Sequence, residues 1–332
     1  MTGTALLQIR DLSVSFRAGD SWLRVVHDLS LEIAHNEIVG LVGESGSGKS
    51  VTSLAIMGLL GNQGRIDSGR ILFDGRCLNQ LAQNEMLAIR GKEIAMIFQE
   101  PSTCLNPVFR IGNQVAEACR LHLALDHRQA MARSVELLER VGIPDPAHRA
   151  RQYPHELSGG LKQRVMIAMA LACEPKLLIA DEPTTALDVT TQAQILDLIR
   201  ILHEDLKTAV LLITHDLGII AETAQRVVVM YAGEAVEEAP VTSLFAEPGH
   251  PYTRELLRCI PPLDHKPDKL PMIDGTMPGP GETFQGCRFA ARCPQSITAC
   301  RTQAPALQRH DERRVRCIRF PETATGSGVA ND

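Results

Sequence analysis

A chain of 332 residues, 44% hydrophobic and 22% charged, has room for one large domain with an appendage or for two modest ones, and its composition is that of an ordinary soluble globular protein. Its formal net charge of −5 gives no electrostatic case for nucleic acid as the main partner, and no apolar run approaches the ~20 residues needed to span a bilayer. Residues 1–10 lack the charged-then-apolar layout of a signal peptide, so a cytosolic location is expected, with any membrane role exerted through partner chains.

Residues 7–32 alternate apolar and polar positions (Ile9, Leu12, Val14 and Phe16, then Leu29, Leu31 and Ile33), the pattern of a small antiparallel sheet. Residues 38–42 form a short, uniformly apolar run, as do 94–98, 177–180, 210–214 and 227–231. Such runs read as parallel strands buried on both faces. Gly43-Glu44-Ser45-Gly46-Ser47-Gly48-Lys49-Ser50 follows the first run and precedes an apolar helix over 51–60, which is the confirming context for a phosphate loop. Its glycines let backbone N–H groups converge on phosphates, and the helix N-terminus adds a favourable dipole. Lys49 is placed to reach the β- and γ-phosphates of a nucleoside triphosphate, and Ser50 to ligate Mg²⁺.

Residues 101–170 read as mainly helical, with 115–125 and 128–141 the clearest segments. This insert ends in a helix opened by Leu157-Ser158-Gly159-Gly160 and continued through Val165, Ile167, Ala168 and Leu171. A helix start bearing a Ser hydroxyl and small residues is a second anion cradle. The first cradle serves the chain's own phosphates, which leaves this one for a second nucleotide. Asp181 and Glu182 end the run 177–180, at the strand edge where open α/β sheets bind ligands. Asp181 fits a Mg²⁺-organising carboxylate, and Glu182 the general base that polarises an attacking water. Helix 192–206, with Ile195, Leu198, Ile199 and Leu202 on one face, completes an alternation that argues for an α/β core.

Beyond Gly233 the composition changes. Residues 249–286 are rich in proline, including Pro261-Pro262 and Pro278-Gly279-Pro280, and read as a turn-rich appendage rather than more sheet. Cys77, Cys104, Cys119, Cys173 and Cys259 are scattered and read as buried small apolar residues. Cys287, Cys293, Cys300 and Cys317 crowd together near the end. In a cytosolic protein such a group favours metal over disulfides. Their spacings are wider than the CxxC pairs of structural zinc, and four cysteines are the standard ligands of a [4Fe–4S] cluster. Zinc, or thiols that are unligated or disulfide-paired, remain the alternatives. The arginines between Arg288 and Arg319 either offset a cluster's charge or form a solvated face.

Together, the phosphate loop, Ser158-Gly159-Gly160 and the acidic strand end resemble the ATP-binding-cassette ATPases. The resemblance implies an α/β P-loop NTPase (RecA-like) cassette with an N-terminal antiparallel β subdomain, a helical subdomain and a Cys-containing C-terminal extension. It divides the chain into a nucleotide-binding domain at 1–240, with the helical subdomain at 101–170, an extension at 241–325 and a disordered tail at 326–332. The cofactors implied are ATP and Mg²⁺. The ATP site would comprise Phe16, Gly43, Ser45, Gly46, Ser47, Gly48, Lys49, Ser50, Val51, Gln99 and Asp181, with Ser50, Gln99 and Asp181 on Mg²⁺. Gln99 would be the glutamine-loop residue, His215 the switch histidine that contacts the γ-phosphate, and Asp188 the aspartate at the dimer interface. Ser158, Gly159, Gly160 and Asp188 would face ATP bound to the opposite subunit. Phe16 would stack on adenine, although a strand Phe facing the core fits equally. Where the family usually has Gln, this chain has Leu161.

Tyr153-Pro154-His155-Glu156, Arg164-Val165-Met166-Ile167-Ala168-Met169-Ala170, Asp181-Glu182-Pro183-Thr184-Thr185 and His250-Pro251-Tyr252-Thr253 resemble the D-type ATP-binding subunit of oligopeptide and dipeptide importers, nearly end to end. Val141-Gly142-Ile143-Pro144-Asp145-Pro146-Ala147 favours the dipeptide version, and Glu100-Pro101 departs from the commoner Asp-Pro. The resemblance implies an ATP-hydrolysing subunit that energises peptide import through a permease. Cousins that import nickel, glutathione or antimicrobial peptides are the alternatives, and a non-transport cassette ATPase is the remote one. The partners implied are a second, non-identical ATPase subunit, two permease subunits and a periplasmic or lipid-anchored peptide-binding protein, with no nucleic acid. The location implied is peripheral, on the cytoplasmic face of the inner membrane. Some members of the subfamily carry a [4Fe–4S] cluster at positions matching the four clustered cysteines.

Overall fold

The computed structural model describes residues 5–185, 187–260 and 272–320. Ala186, Pro261-Pro262 and the tail expected at 326–332 lie outside these residues. The chain divides into two compact units, one built from Met1–Leu6, Ile33–Glu37 and Asp74–Ile213, the other from Leu7–Glu32, Ile38–Phe73 and Thr214–Asp332.

In the first unit, strands Ile94–Ile97, Leu177–Asp181 and Ala209–Thr214 pair in parallel in that order. All of their residues are buried, which is why the sequence shows unbroken apolar runs instead of alternation. The long crossover between the first two strands carries helices Ile111–Leu123, His127–Arg140 and Gly159–Ala170. Asp126 starts the second of these: its carboxylate accepts from Gln129 N at 2.8 Å, while Asp126 N donates to Gln129 Oε1 at 3.1 Å, a reciprocal cap. Val115, Cys119, Leu138, Val165 and Ile167 are fully buried among them. Of the scattered cysteines only Cys119 is buried. Cys77, Cys104, Cys173 and Cys259 are half-buried, because each lies at or just beyond the end of a strand or helix. The helix Val189–Leu206 buries Ile195, Leu198, Ile199 and Leu202 as its spacing requires, and starts earlier than expected because Asp188 caps it.

In the second unit, strands Ser21–Ala34, Ala5–Ala18 and Gly64–Phe73 lie side by side in an antiparallel sheet. Strand Ile38–Val42 runs parallel to Arg226–Tyr231, which pairs antiparallel with Glu234–Pro240. The hairpin of Gln308–His310 and Arg313–Val315 then adds to Glu237 and Glu238. The C-terminal region therefore does contribute sheet, through strands of three residues that carry no readable period. Strand Glu234–Pro240 escapes sequence reading for a different reason: Glu237 and Glu238 are buried within it. The Glu237 carboxylate accepts the N–H groups of Gly249 at 2.7 Å and His250 at 2.8 Å, while Glu238 pairs with Arg226 and Arg314. Buried charges persist only with such partners. Aromatics are scarce in the chain, yet Tyr231, Tyr252 and Phe289 pack edge to face here, with centroids 4.6–5.3 Å apart.

His27 lies half-buried on strand Ser21–Ala34, and its N–H donates to Gly233 O at 2.9 Å. Burial, then the nearby Arg288 and Arg24 guanidinium groups, push its pKa down to about 4. A lowered folded-state pKa makes its contribution to stability complete above the unfolded value of about 6.5 and lost as pH falls through about 4. His27→Gln, which has no proton to take up, should therefore flatten the decline of melting temperature across that window. Equal slopes for the two proteins in a pH series of thermal melts would contradict this.

Candidate active site

In the second unit the phosphate loop leaves the buried strand Ile38–Val42 and lies against its neighbour. A Cβ on Gly43 would sit 2.2 Å from Met230 O and 2.8 Å from Ser47 Oγ. Gly46 and Gly48 take φ of +82° and +102°, left-handed values that glycine adopts without steric cost. Gly48 opens helix Lys49–Ile56, and no side chain caps that end, the kind of helix start that suits an anion. The helix stops at Ile56, before the expected residue 60, because Gly58 turns left-handed at φ +61°. Lys49 is 4% exposed, and its Nζ donates to Gly43 O at 2.8 Å and Glu44 O at 3.1 Å. Ser45 is exposed, Ser47 buried, and Ser50 and Val51 half-buried.

Phe16 is half-buried and pairs with Gly64, where an added Cβ would meet its ring at 3.0 Å. His215 is exposed just beyond strand Ala209–Thr214. The turn bearing it is fixed by Asp216, whose N–H donates to Thr214 Oγ1 at 3.0 Å and whose carboxylate accepts from Gly218 N at 2.8 Å.

In the first unit Asp181 closes its strand at 5% exposure. Glu182 follows with φ +46°, and its N–H donates to Ile213 O at 2.9 Å. A left-handed non-glycine residue costs about 1–2 kcal/mol, and the twist turns the Glu182 side chain out of the strand. Glu182 Oε2 accepts from Gln99 Nε2 at 3.1 Å and from Thr185 Oγ1 at 2.9 Å. Gln99, expected on Mg²⁺, thus contacts Glu182, the expected general base. Thr185 was not foreseen. Neither was Gln163, buried at 1% exposure, whose Nε2 donates to Pro183 O at 2.6 Å and ties helix Gly159–Ala170 to the residue after Glu182. The available signal was a polar residue among the apolar positions of that helix.

Ser158 caps helix Gly159–Ala170, its Oγ accepting from Leu161 N at 3.4 Å. Asp188 caps helix Val189–Leu206, accepting from Thr191 N at 3.0 Å and Thr191 Oγ1 at 2.7 Å. The Thr191 hydrogen bonds hold the Asp188 carboxyl below the usual carboxylate range. The two glycines after Ser158 differ. A Cβ on Gly160 would lie 2.8 Å from Thr191 Cγ2, whereas at Gly159 the first atom met is Leu187 Cδ2 at 3.9 Å. Gly160 is demanded by packing within the chain, and Gly159 is not. Gly160→Ala should lower stability by about 1–2 kcal/mol through overpacking, and Gly159→Ala should not. Thermal melts of the two variants decide this, and equal melting temperatures would count against it.

Cys287, Cys293, Cys300 and Cys317 line one pocket with His250, Phe289 and Arg319. Burial pushes the Cys287 thiol up to about 11 and raises Cys293 and Cys317 as well. Cys287 N donates to Cys300 O at 2.7 Å. Among the described residues, no group of three or more His, Cys, Asp or Glu side chains is arranged to hold a single metal ion.

The sequence model of the family described as "ABC transporter" matches residues 26–185, and that described as "Oligopeptide/dipeptide transporter, C-terminal region" matches 236–300. The oligopeptide transport ATP-binding protein AppD of Bacillus subtilis (strain 168) is 49% identical over 321 residues, 96% of this chain and 98% of that protein. The chain belongs to the ABC transporter family.

Among solved structures, the cassette MJ0796, a dimer in a post-hydrolysis state bound to ADP and Pi, is 29% identical with a TM-score of 0.64, over 71% of this chain and 98% of that one. CbiO1 from Clostridium perfringens, part of the ABC transporter complex cbiONQ, is 27% identical with a TM-score of 0.63, over 73% and 91% of the two chains. The fold is an α/β P-loop cassette, and the cassette is an ATP hydrolase that uses Mg²⁺.

Proposed function

We propose that this cassette hydrolyses ATP to drive import of dipeptides or oligopeptides through a partner permease. The observation that carries this reading is the joining of both matches in one chain, a cassette at 26–185 and the oligopeptide/dipeptide-type region at 236–300. In domain terms the reading assigns 1–240 to nucleotide binding, with 101–170 as its helical part, and 241–325 to the extension. Lys49 and the loop N–H groups bind the β- and γ-phosphates, while Ser50, Gln99 and Asp181 serve Mg²⁺. Phe16 stacks on adenine. Glu182 accepts a proton from the attacking water, and His215 contacts the γ-phosphate. Ser158, Gly159, Gly160 and Asp188 meet ATP held by a second cassette, a non-identical subunit. Helix-capping duty at Ser158 and Asp188 is compatible with this, since a carboxylate or hydroxyl oxygen has further lone pairs to offer.

No helix among the described residues is long and apolar enough to cross a membrane. The reading therefore has the cassette bind two permease subunits from the cytoplasmic face of the inner membrane, with a peptide-binding protein on the other side. A pocket of about 290 Å³ lined by Phe109, Gln114, Glu117 and Arg120 supports that docking, as do the neighbouring exposed side chains of Val108 (70%) and Phe109 (54%). Co-expression with a permease pair and reconstitution in vesicles should give ATP-dependent peptide uptake. Active ATP hydrolysis without uptake of any peptide would overturn the transport reading.

The four thiols are further assigned to a [4Fe–4S] cluster. Four sulfur donors around one pocket, with Arg319 beside them, fit that group. Ligands of a cluster surround four metals and so need not converge as the ligands of a single ion do. Bound there, it would cross-link the C-terminal region. Iron and sulfide analysis of anaerobically purified protein should find both, whereas one equivalent of zinc without iron would refute the assignment.

A further inference from the structure

Glu44, the second residue of the phosphate loop, is gripped twice by the C-terminal region. Arg292 Nη1 donates to Glu44 Oε2 at 2.8 Å and Arg292 Nη2 to Glu44 Oε1 at 3.0 Å, a two-pronged ion pair. The Glu44 N–H donates to the hydroxyl of Tyr252 at 2.9 Å. Both partners are held from behind. The Arg292 side chain is 5% exposed, and its Nε donates to Asp274 O at 2.9 Å. Tyr252 is fully buried against Tyr231 and Phe289. Glu44 in turn shapes the loop, since its carbonyl accepts from Lys49 Nζ at 3.1 Å and from Ser47 N at 3.2 Å.

We propose that Arg292 and Tyr252 are positioning residues for ATP binding, holding the phosphate loop through Glu44 in the shape that receives the phosphates. The proposal rests on the assignment of Gly43–Ser50 to the phosphates of ATP. An exposed ion pair would be worth little, but the Arg292 guanidinium is desolvated and fixed on several sides, so the geometry it imposes on Glu44 is stiff. Neither residue touches the nucleotide in this scheme. Their effect is to remove the cost of ordering the loop when ATP arrives.

The test measures MgATP affinity by calorimetry, together with KM and kcat, on the full-length chain carrying Arg292→Lys, Glu44→Gln, Tyr252→Phe or Lys49→Ala. Arg292→Lys keeps the charge and loses the second prong, and Tyr252→Phe keeps the ring and loses only the acceptor, so both retain the packing. Each of the first three variants should weaken MgATP binding and raise KM by about tenfold, with kcat changed less than about twofold and the melting temperature preserved. Arg292→Lys combined with Glu44→Gln should cost no more than either alone, because both remove one link. Affinities within about twofold of the unmodified chain in the Arg292, Glu44 and Tyr252 variants, with Lys49→Ala losing ATP, would overturn the proposal alone. If Lys49→Ala also retained ATP, the phosphate-loop assignment beneath it would fall as well.

Discussion

Replacing Glu182 with Gln should cut steady-state ATP turnover by about 10²–10⁴-fold while leaving MgATP bound. The substitution keeps an oxygen able to accept from Gln99 Nε2 and Thr185 Oγ1, both of which donate to Glu182 Oε2. The left-handed turn at Glu182 and the bond from its N–H to Ile213 O involve only backbone, so the loop geometry survives. The basic carboxylate is what disappears. A species that binds ATP and cannot cleave it should accumulate as the closed pair of cassettes, visible by size-exclusion chromatography with ATP present. Turnover at the unmodified rate would remove Glu182 from the chemistry. Thr185→Val, which deletes one donor but leaves the carboxylate, should reduce turnover far less.

The second large effect is expected at Gly43. Gly43→Ala drives a methyl group to within 2.2 Å of the Met230 carbonyl oxygen and 2.8 Å of Ser47 Oγ. The carbonyl belongs to the buried, hydrogen-bonded strand Arg226–Tyr231, so it has no rotamer by which to yield. Relief must come from the phosphate loop, and overpacking of this kind costs about 1–3 kcal/mol or more. A displaced loop also moves Gly43 O, an acceptor of Lys49 Nζ. MgATP affinity should fall by at least about a hundredfold, well beyond what the loss of stability alone would give. Gly46→Ala offers the contrast: space is open there, so only the backbone cost of φ +82°, about 1–2 kcal/mol, applies. Equal losses at the two positions would mean that the loop does not rest on strand Arg226–Tyr231 as described.

What the sequence made legible was whatever is encoded locally. Strand Ile38–Val42 and the glycine-rich loop after it could be read because apolar runs and glycine spacings act over a few residues. Helix His127–Arg140 was legible too, expected at 128–141. Gln99 and Glu182 were each singled out, Gln99 by family likeness, but their contact could not be read because they are 83 residues apart. Gln163 and Thr185 were missed because a Gln in a helix and a Thr in a turn look like surface polarity until burial is known. Strand Glu234–Pro240 was missed because adjacent acidic residues argue against a buried strand, and partners distant in sequence, among them Gly249, His250, Arg226 and Arg314, make Glu237 and Glu238 tolerable there.

The grip on Glu44 spans 208 residues to Tyr252 and 248 to Arg292. Chains emerge from the ribosome N-terminus first and fold as they appear, at about 5–20 residues per second. The phosphate loop is thus made some ten seconds or more before Tyr252 and Arg292, which hold it through Glu44. Until the C-terminal region arrives, strand Glu234–Pro240 also lacks the hairpin that covers it. A chain cut short before Arg292 would carry every residue of the nucleotide motifs and still lack the ion pair at Glu44. The grip that we propose shapes the ATP site is therefore assembled late, by residues made long after the loop they hold.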